Sequence, residues 1–392
     1  MQEGTTMIPS MFLINIALIL IFTKIGGMIG KRLGVPSVLG QVLTGIILGP
    51  TLLGVVKTDL FLEEAGQIGV IMLLFLAGLD TEIKQMKSIG KQSMLVALGG
   101  VLIPFCLGTL VTFWFKQDLQ TAVFVGTILT ATSVSITVQT LMELGKLKTI
   151  EGNSILTAAV IDDIIGILIL AVIVGAGSNL NIFGLIGMII LFFISITFFG
   201  RVIFPFLLKL SAKYEIREGR VTLALACCLF FAWLADNMGV AAIIGAYLMG
   251  IFIGQTKIRN LVSERIQIIG YAFFIPIFFV GIGAGADFHQ IGVSSLILAI
   301  TIVLTAIISK IVGSMIGALI GGFSLRRAVR IGVGMIPRGE VALIITSLGI
   351  RKGIIGNDIF SATLMLVLIS TIITPLLLSL AFKEPAPENQ GV

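Results

Sequence analysis

The chain is divided by its own charges into apolar runs about twenty residues long, and this pattern constrains the fold more than any other feature. A bilayer core about 30 Å thick is crossed by roughly 20 helical residues. Cutting at charged and turn-rich clusters gives thirteen runs, near 8–30, 36–56, 66–83, 92–115, 120–142, 153–176, 182–208, 219–236, 239–256, 266–285, 291–322, 327–349 and 358–382. They are continuous rather than alternating, which excludes a closed β-barrel. Only 12% of the 392 residues are charged, about half the usual share of a soluble domain. A soluble enzyme, a disordered protein and a nucleic-acid partner are excluded on that ground, and lipid is the solvent for most of the chain.

The basic residues orient the runs. Eighteen of the twenty-six Lys and Arg follow odd-numbered runs, among them Lys31, Arg32, Lys84, Lys209, Arg326 and Arg327. Four follow even-numbered runs: Lys57, Lys116, Arg351 and Lys352. Cytoplasmic loops collect Lys and Arg. The asymmetry therefore predicts a multi-pass cell-membrane protein with its N-terminus outside and its C-terminus cytoplasmic. The polar connections are short, so one membrane domain over 1–392 is expected, with no soluble regulatory domain. The first run lacks a basic leader and an obvious cleavage site and reads as a retained span. Cys106, Cys227 and Cys228 sit in apolar runs without zinc spacing and read as small buried hydrophobes.

Five charges fall deep inside runs, away from their ends: Asp162, Asp163, Lys310, Arg338 and Glu340. Each costs about 2.5–3.5 kcal/mol at a helix centre, on the order of 15 kcal/mol together if unpaired. They must pair or line a wet cavity. Lys24 and Arg201 also fall within runs, but lie near helix ends or can snorkel, and read as anchors. Adjacent residues on a helix point about 100° apart, so Asp162 and Asp163 cannot share one environment. One can face a cation while the other faces a cavity. A single structural bond would need only one acid, which favours function for the pair. Lys310 is the natural partner for one of them. Two roles stay open for it: a salt bridge that offsets a buried charge, or a group that exchanges a proton.

Two runs carry an unusual interior. The fifth holds Thr130, Thr132, Ser133, Ser135 and Thr137, whose hydroxyls compete with helical backbone bonds. The twelfth holds Gly334, Pro337, Arg338, Gly339 and Glu340, and a proline among glycines and charges breaks a helix. Broken backbone at membrane depth belongs beside protein or water. The two runs are seven apart, an odd offset that reverses their orientation. Runs 1–6 and 8–13 then read as inverted repeats, with run 7 as linker. Paired interrupted helices in matching positions point to a transporter site.

Other classes fit less well. The Gly-rich stretch from Gly281 to Asp287 opens no amphipathic helix, so it is a poor nucleotide loop. An intramembrane aspartyl protease needs its acids on separate helices. A cation channel needs filter rings, and no filter-like sequence is present. A sodium-coupled symporter needs an organic-substrate pocket, which the acid pair does not suggest.

The residues also carry a family resemblance. Gly34–Gly40 (GVPSVLG), Leu73–Leu79 (LLFLAGL), Ala131-Thr132-Ser133-Val134, Ala159-Val160-Ile161-Asp162-Asp163, Ser309-Lys310 and Pro337-Arg338-Gly339-Glu340-Val341 occur in that order. With these stretches the chain resembles the monovalent cation:proton antiporter-2 family over nearly its whole length, and looks like its short bacterial sodium/proton antiporters of the NapA type. The resemblance implies an all-α polytopic membrane protein with inverted repeats and two crossed discontinuous helices, here runs 5 and 12. It implies a homodimer, with a dimerisation part at roughly 1–85 and 215–260 and an ion-binding core at roughly 90–177 and 290–382. It implies elevator-like alternating access. Asp163 matches the aspartate that binds the cation or proton, and Asp162 the one that pairs with the lysine matching Lys310. Thr132 and Ser133 match the unwound crossing near the ion. Pro337, Arg338 and Glu340 are expected to be chiefly structural at the second crossing. Larger potassium-efflux relatives carry a C-terminal nucleotide-binding domain, which is not expected here.

The expected function is antiport, with Na⁺ (or Li⁺ or K⁺) leaving as H⁺ enters, both competing for one site. Asp163 supplies the main ligand, since a hard cation prefers oxygen; no resident cofactor is expected. If Lys310 also releases a proton, the exchange is electrogenic and feels about 2.3 kcal/mol per charge per 100 mV. If it is only structural, exchange can be electroneutral. The lone histidine, His289, lies in a loop after run 10, so any pH response is expected from the carboxylates and from Lys310.

Overall fold

The structure is a computed structural model that describes residues 10–33, 36–56, 60–81, 83–115, 118–175, 182–213, 218–285 and 296–383. His289 lies outside these residues, as does most of the C-terminal tail. Every regular element among the described residues is helical. In chain order these are α1 (Ser10–Arg32), α2 (Ser37–Leu48), α3 (Leu60–Asp80), α4 (Ile83–Trp114), α5 (Leu119–Thr130), α6 (Val134–Glu143), α7 (Ile150–Gly175), α8 (Ile182–Phe198) and α9 (Phe204–Lys213). Then follow α10 (Gly219–Asn237), α11 (Ala242–Gly254), α12 (Arg259–Ile269), α13 (Ile275–Ala284), α14 (Leu296–Ile320), α15 (Leu325–Gly334), α16 (Glu340–Arg351) and α17 (Asn357–Phe382). Single π-turns at Phe199–Ile203 and Gly270–Phe274 join α8 to α9 and α12 to α13. Helix is the outcome physics requires, because lipid offers no partner for backbone N–H and C=O groups. Among the described residues, nine helical segments are long and apolar enough to cross a bilayer, and α2 and α11 are shorter apolar helices. The figure of thirteen spans remains an expectation of the sequence.

The chain divides into two compact units. One comprises residues 1–83 and 167–294. Small residues hold it together. A Cβ on Gly78 of α3 would strike the backbone of α11 at Tyr247, and one on Gly250 of α11 would strike α3 at Phe75. Gly45 of α2 and Gly283 of α13 meet in the same way. Without a hydrophobic force between helices in lipid, such close backbone approach supplies the attraction. Ile19, Leu48, Leu62, Ile277 and Val280 fill the apolar core between α1, α2, α3 and α13. Lys24 Nζ donates to the carbonyl of Tyr271 at 2.8 Å, an anchor between helices. Arg259 Nη2 lies 2.8 Å from Asp80 Oδ1 at the helix ends.

The other unit comprises residues 84–166 and 295–392 and contains α4, α5, α6, most of α7 and α14 to α17. Gly99 of α4 and Gly313 of α14 are in backbone contact, and Gly317 sits against Leu95. α14 packs on α15 and α17, and α16 on α5 and α17. Two helices of this unit are interrupted. Residues 131–133 separate α5 from α6, with Ala131 and Ser133 extended. Residues 335–339, which include Pro337, separate α15 from α16. Pro337 has no N–H and disfavours helical backbone at Ile336.

Candidate ion site at two interrupted helices

Asp162 and Asp163 lie within α7, with 2% and 4% of their surface exposed. Their directions differ by about 100° around the helix axis. Asp162 Oδ2 is 2.7 Å from Lys310 Nζ on α14. The same oxygen accepts a hydrogen bond from Thr132 Oγ1, in the break between α5 and α6. Asp162 Oδ1 has no hydrogen-bond partner among the described residues. Thr132 and Ser133 are themselves 3% exposed.

Lys310 is fully buried. An ammonium has three N–H donors and no acceptor, and all three have a partner. They reach Asp162 Oδ2, the carbonyl of Gly100 on α4 at 2.7 Å and the carbonyl of Thr130 at 2.9 Å. Thr130 is the last residue of α5, where the helix leaves carbonyls without intrahelical donors and carries a partial negative charge. Placing a cation there satisfies both. Arg338, also fully buried, does the same from the second break. Its Nη1 donates to the carbonyl of Ala131 and, at 3.4 Å, to that of Thr130. Two cations thus converge on the end of one half-helix.

The two interruptions are stitched together by backbone. The Ser133 N–H, just ahead of α6, donates to the carbonyl of Pro337 at 2.7 Å. Thr137 Oγ1 on α6 donates to the carbonyl of Gly334, the last residue of α15, at 2.7 Å. The Arg338 N–H donates to Ser370 Oγ on α17 at 3.0 Å. Gly339 packs on Ser133, and a Cβ there would lie 2.6 Å from Ser133 Oγ and 2.7 Å from its Cβ. Ser133 Oγ is 3.1 Å from Ser135 Oγ. Glu340 begins α16; its side chain lies outside the described residues.

Of the residues singled out from the sequence, Asp162, Thr132 and Lys310 are in direct contact, and Arg338 shares the Thr130 carbonyl with Lys310. Asp163 is buried one residue on, and Ser133 and Pro337 are bonded to each other across the breaks. Sequence reasoning missed Gly100, Thr130 as a carbonyl acceptor in the cluster, and Ser370. It also missed a second ion cluster. Glu151, 6% exposed at the start of α7, receives Arg330 at 3.1 Å and Arg327 at 3.8 Å. Arg330 also donates to the carbonyl of Ala381 and stacks over the ring of Phe382.

Chemically, the cluster is a set of buried oxygens beside fixed positive charge. Asp162 and Lys310 neutralise each other at contact distance. A second buried carboxyl, Asp163, can bind a proton or a monovalent cation. No group of three or more His, Cys, Asp or Glu is gathered among the described residues. A cation here would be held by carboxylate oxygen together with hydroxyl and carbonyl oxygen, a donor set suited to a hard ion.

Residues 17–384 match the family described as sodium/hydrogen exchanger, transmembrane. The chain is 39% identical over 374 residues to the Na⁺/H⁺-K⁺ antiporter GerN of Bacillus cereus, spanning 95% of this chain and 96% of the relative. It is 39% identical over 375 residues to a Na⁺/H⁺ antiporter of Enterococcus hirae, spanning 94% and 97%. Among solved structures it resembles the sodium proton antiporter MjNhaP1 from Methanocaldococcus jannaschii at pH 8, with a TM-score of 0.65 and 18% identity over 94% of this chain and 97% of that one. At that identity the likeness speaks for the fold.

Proposed function

The chain belongs to the sodium/hydrogen exchanger family, and from that premise we propose that it is a secondary antiporter exchanging Na⁺ for H⁺ across the cytoplasmic membrane, with Asp163 and Asp162 as the shared site. The observation that carries the proposal is the pair of buried carboxyls on α7 beside two interrupted helices, with Lys310 on one of them. Asp163 supplies the main ligand to the transported ion. Asp162 Oδ1 and the oxygens of Thr132 and Ser133 are within the same buried region and complete the shell. Cation and proton compete because both neutralise the same carboxylate. An uncompensated buried charge is costly to move through lipid, so the loaded site travels and the bare one does not.

The unit made of 84–166 and 295–392 is the ion-carrying core in this reading. The unit made of 1–83 and 167–294 supplies the dimer contact. Transport is elevator-like, with the N-terminus outside and the C-terminus in the cytoplasm. Pro337, Arg338 and Glu340 serve the framework of the breaks rather than the ion. The 39% identity to a relative named as a Na⁺/H⁺-K⁺ antiporter favours a second reading in which K⁺ is also carried.

Purified protein in liposomes, loaded with a pH dye and clamped at a set voltage, tests this. Na⁺ or Li⁺ added outside is expected to drive proton movement in the opposite direction, and K⁺ decides the second reading. Cation currents without proton movement would mark a channel and contradict the proposal.

A further inference from the structure

We infer that Arg330 and Glu151 are positioning residues for the ion site: they fix the register of α7, and with it the height of Asp162 and Asp163, against the second interruption. This role rests on the antiport reading and deepens it. One guanidinium holds the ends of two helices from a third. Arg330 projects from α15. Its Nη1 donates to Glu151 Oε1, in the first turn of α7, at 3.1 Å. Its Nε donates to the carbonyl of Ala381, in the last turn of α17, at 3.0 Å. Its Cζ lies 4.7 Å from the centre of the Phe382 ring. The side chains of Arg330 and Glu151 are only 15% and 8% exposed, so water does little to loosen the pair. A guanidinium is planar and its N–H groups form a rigid fork, so these partners cannot shift independently while all are bound. Arg327 differs: it reaches Glu151 at 3.8 Å from a half-exposed position, beyond hydrogen-bond range. It adds charge without fixing a distance.

The same three helices meet again at the ion cluster. α7 brings Asp162 to Lys310, α17 brings Ser370 to the Arg338 N–H, and α15 leads into the break that holds Arg338. Eleven residues of α7 separate Glu151 from Asp162, and eleven of α17 separate Ser370 from Ala381. On α7 that is about 17 Å at 1.5 Å per residue. Pro375 interrupts the hydrogen bonding of α17 between its two ties, so Arg330 secures the turn beyond the proline. α7 and α15 advance side by side: one turn beyond Glu151 and Arg330, Gly334 packs against Ile155. A helix tied at one point can slip or turn about it. A helix tied at two points this far apart can do neither without breaking a tie. A slip of one residue would carry Asp162 about 1.5 Å along the axis and about 100° around it, off Lys310 and off Thr132. Lys310 and Thr132 hold α7 at the acids, and Arg330 holds it at its start.

The test is Na⁺- and Li⁺-driven proton exchange in liposomes by wild type, Arg330→Gln, Glu151→Gln, Arg330→Lys and Arg327→Gln, each first checked for folded protein by its thermal transition. Arg330→Gln and Glu151→Gln are expected to raise the Na⁺ concentration for half-maximal exchange about tenfold, less than the roughly hundredfold that a 1 Å misplacement can cost, because Lys310 still holds α7 at Asp162. The ratio of the Li⁺ and Na⁺ half-saturation values is expected to change with it, since the two ions differ in the shell they need. Arg330→Lys keeps a charge near Glu151 but loses the fork; a smaller rise is expected, and this variant serves if the glutamine variants do not assemble. Arg327→Gln is expected to match wild type. An anchor that only stabilised the fold would lower the thermal midpoint and leave half-saturation and ion ratio unchanged in the folded protein. That outcome in either Arg330→Gln or Glu151→Gln, or in Arg330→Lys where those do not assemble, overturns the inference. So does a rise in Arg327→Gln equal to that in Glu151→Gln, which would credit charge alone. So does the absence of folded protein in all three variants of Arg330 and Glu151, which would assign the cluster to the fold. Absence of exchange in wild type would instead overturn the antiport reading, so the two failures are distinguishable.

Discussion

Lys310 meets two electrostatic demands with one buried ammonium. It offsets the charge of Asp162, and it caps the carbonyl end of α5. Removing one partner of a buried ion pair leaves the other uncompensated, at a cost of about 3–5 kcal/mol. Lys310→Gln is therefore expected to lower the thermal midpoint of the detergent-purified protein. Adding Asp162→Asn to it should recover part of the loss, because no lone buried charge then remains. A double variant less stable than Lys310→Gln would mean that the pair is not the main source of the effect. Asp118 gives a separate handle on pH. Hydrogen bonds from the side chain and backbone N–H of Thr121 hold its carboxyl below the ordinary 3.8. A depressed carboxyl contributes stability that is present above its unfolded value and is lost as pH falls through its folded one. Amide protection in the first turn of α5, taken relative to the intrinsic exchange rate, should fall below about pH 4, and Asp118→Asn should flatten that response.

At the scale of elements, the two interruptions hold each other in place. Their ends are satisfied by each other: Ser133 with Pro337, Thr137 with Gly334, Arg338 with Ala131. Gly339 lets the breaks come this close. Gly339→Ala should force Ser133 aside and reduce exchange about tenfold or more, the loss expected if positioning suffers by about 1.4 kcal/mol. Ser133→Gly in that background should restore part of the rate, and no restoration would put the damage elsewhere. Both interruptions were legible in the sequence for local reasons. Pro337 cannot sit quietly within a helix, and hydroxyls clustered from Thr130 to Thr137 offer the backbone other partners. That Lys310 pairs with one of the two aspartates was legible because charge is scarce in lipid and must pair; which one, Asp162, came only from the family resemblance. The Gly100 and Thr130 carbonyls were not, since every residue has a carbonyl and only the fold says which one meets an ammonium. Glu151 was not, because it stands at the edge of a polar connection. Its burial by Arg330 depends on where α15 and α17 end, which no local pattern records.

For the molecule as a whole, the scarcity of charge separates two kinds of work. Eighteen loop Lys and Arg follow odd-numbered runs against four after even-numbered ones, the asymmetry from which the sequence predicts an orientation. Among the described residues the buried charges gather within one compact unit, 84–166 with 295–392. The other unit joins its helices through small residues and an apolar core, with Asp80 and Arg259 paired at its helix ends. The membership of this chain in the sodium/hydrogen exchanger family says which charges to look for. In the proposed antiport, Na⁺ and H⁺ compete at Asp163. The most direct measurement is Na⁺-driven proton exchange in liposomes by wild type and by Asp163→Asn, each checked for folded protein by its thermal transition. Exchange is expected in wild type and none above empty liposomes in the folded variant. Exchange by Asp163→Asn at the wild-type rate would contradict that assignment.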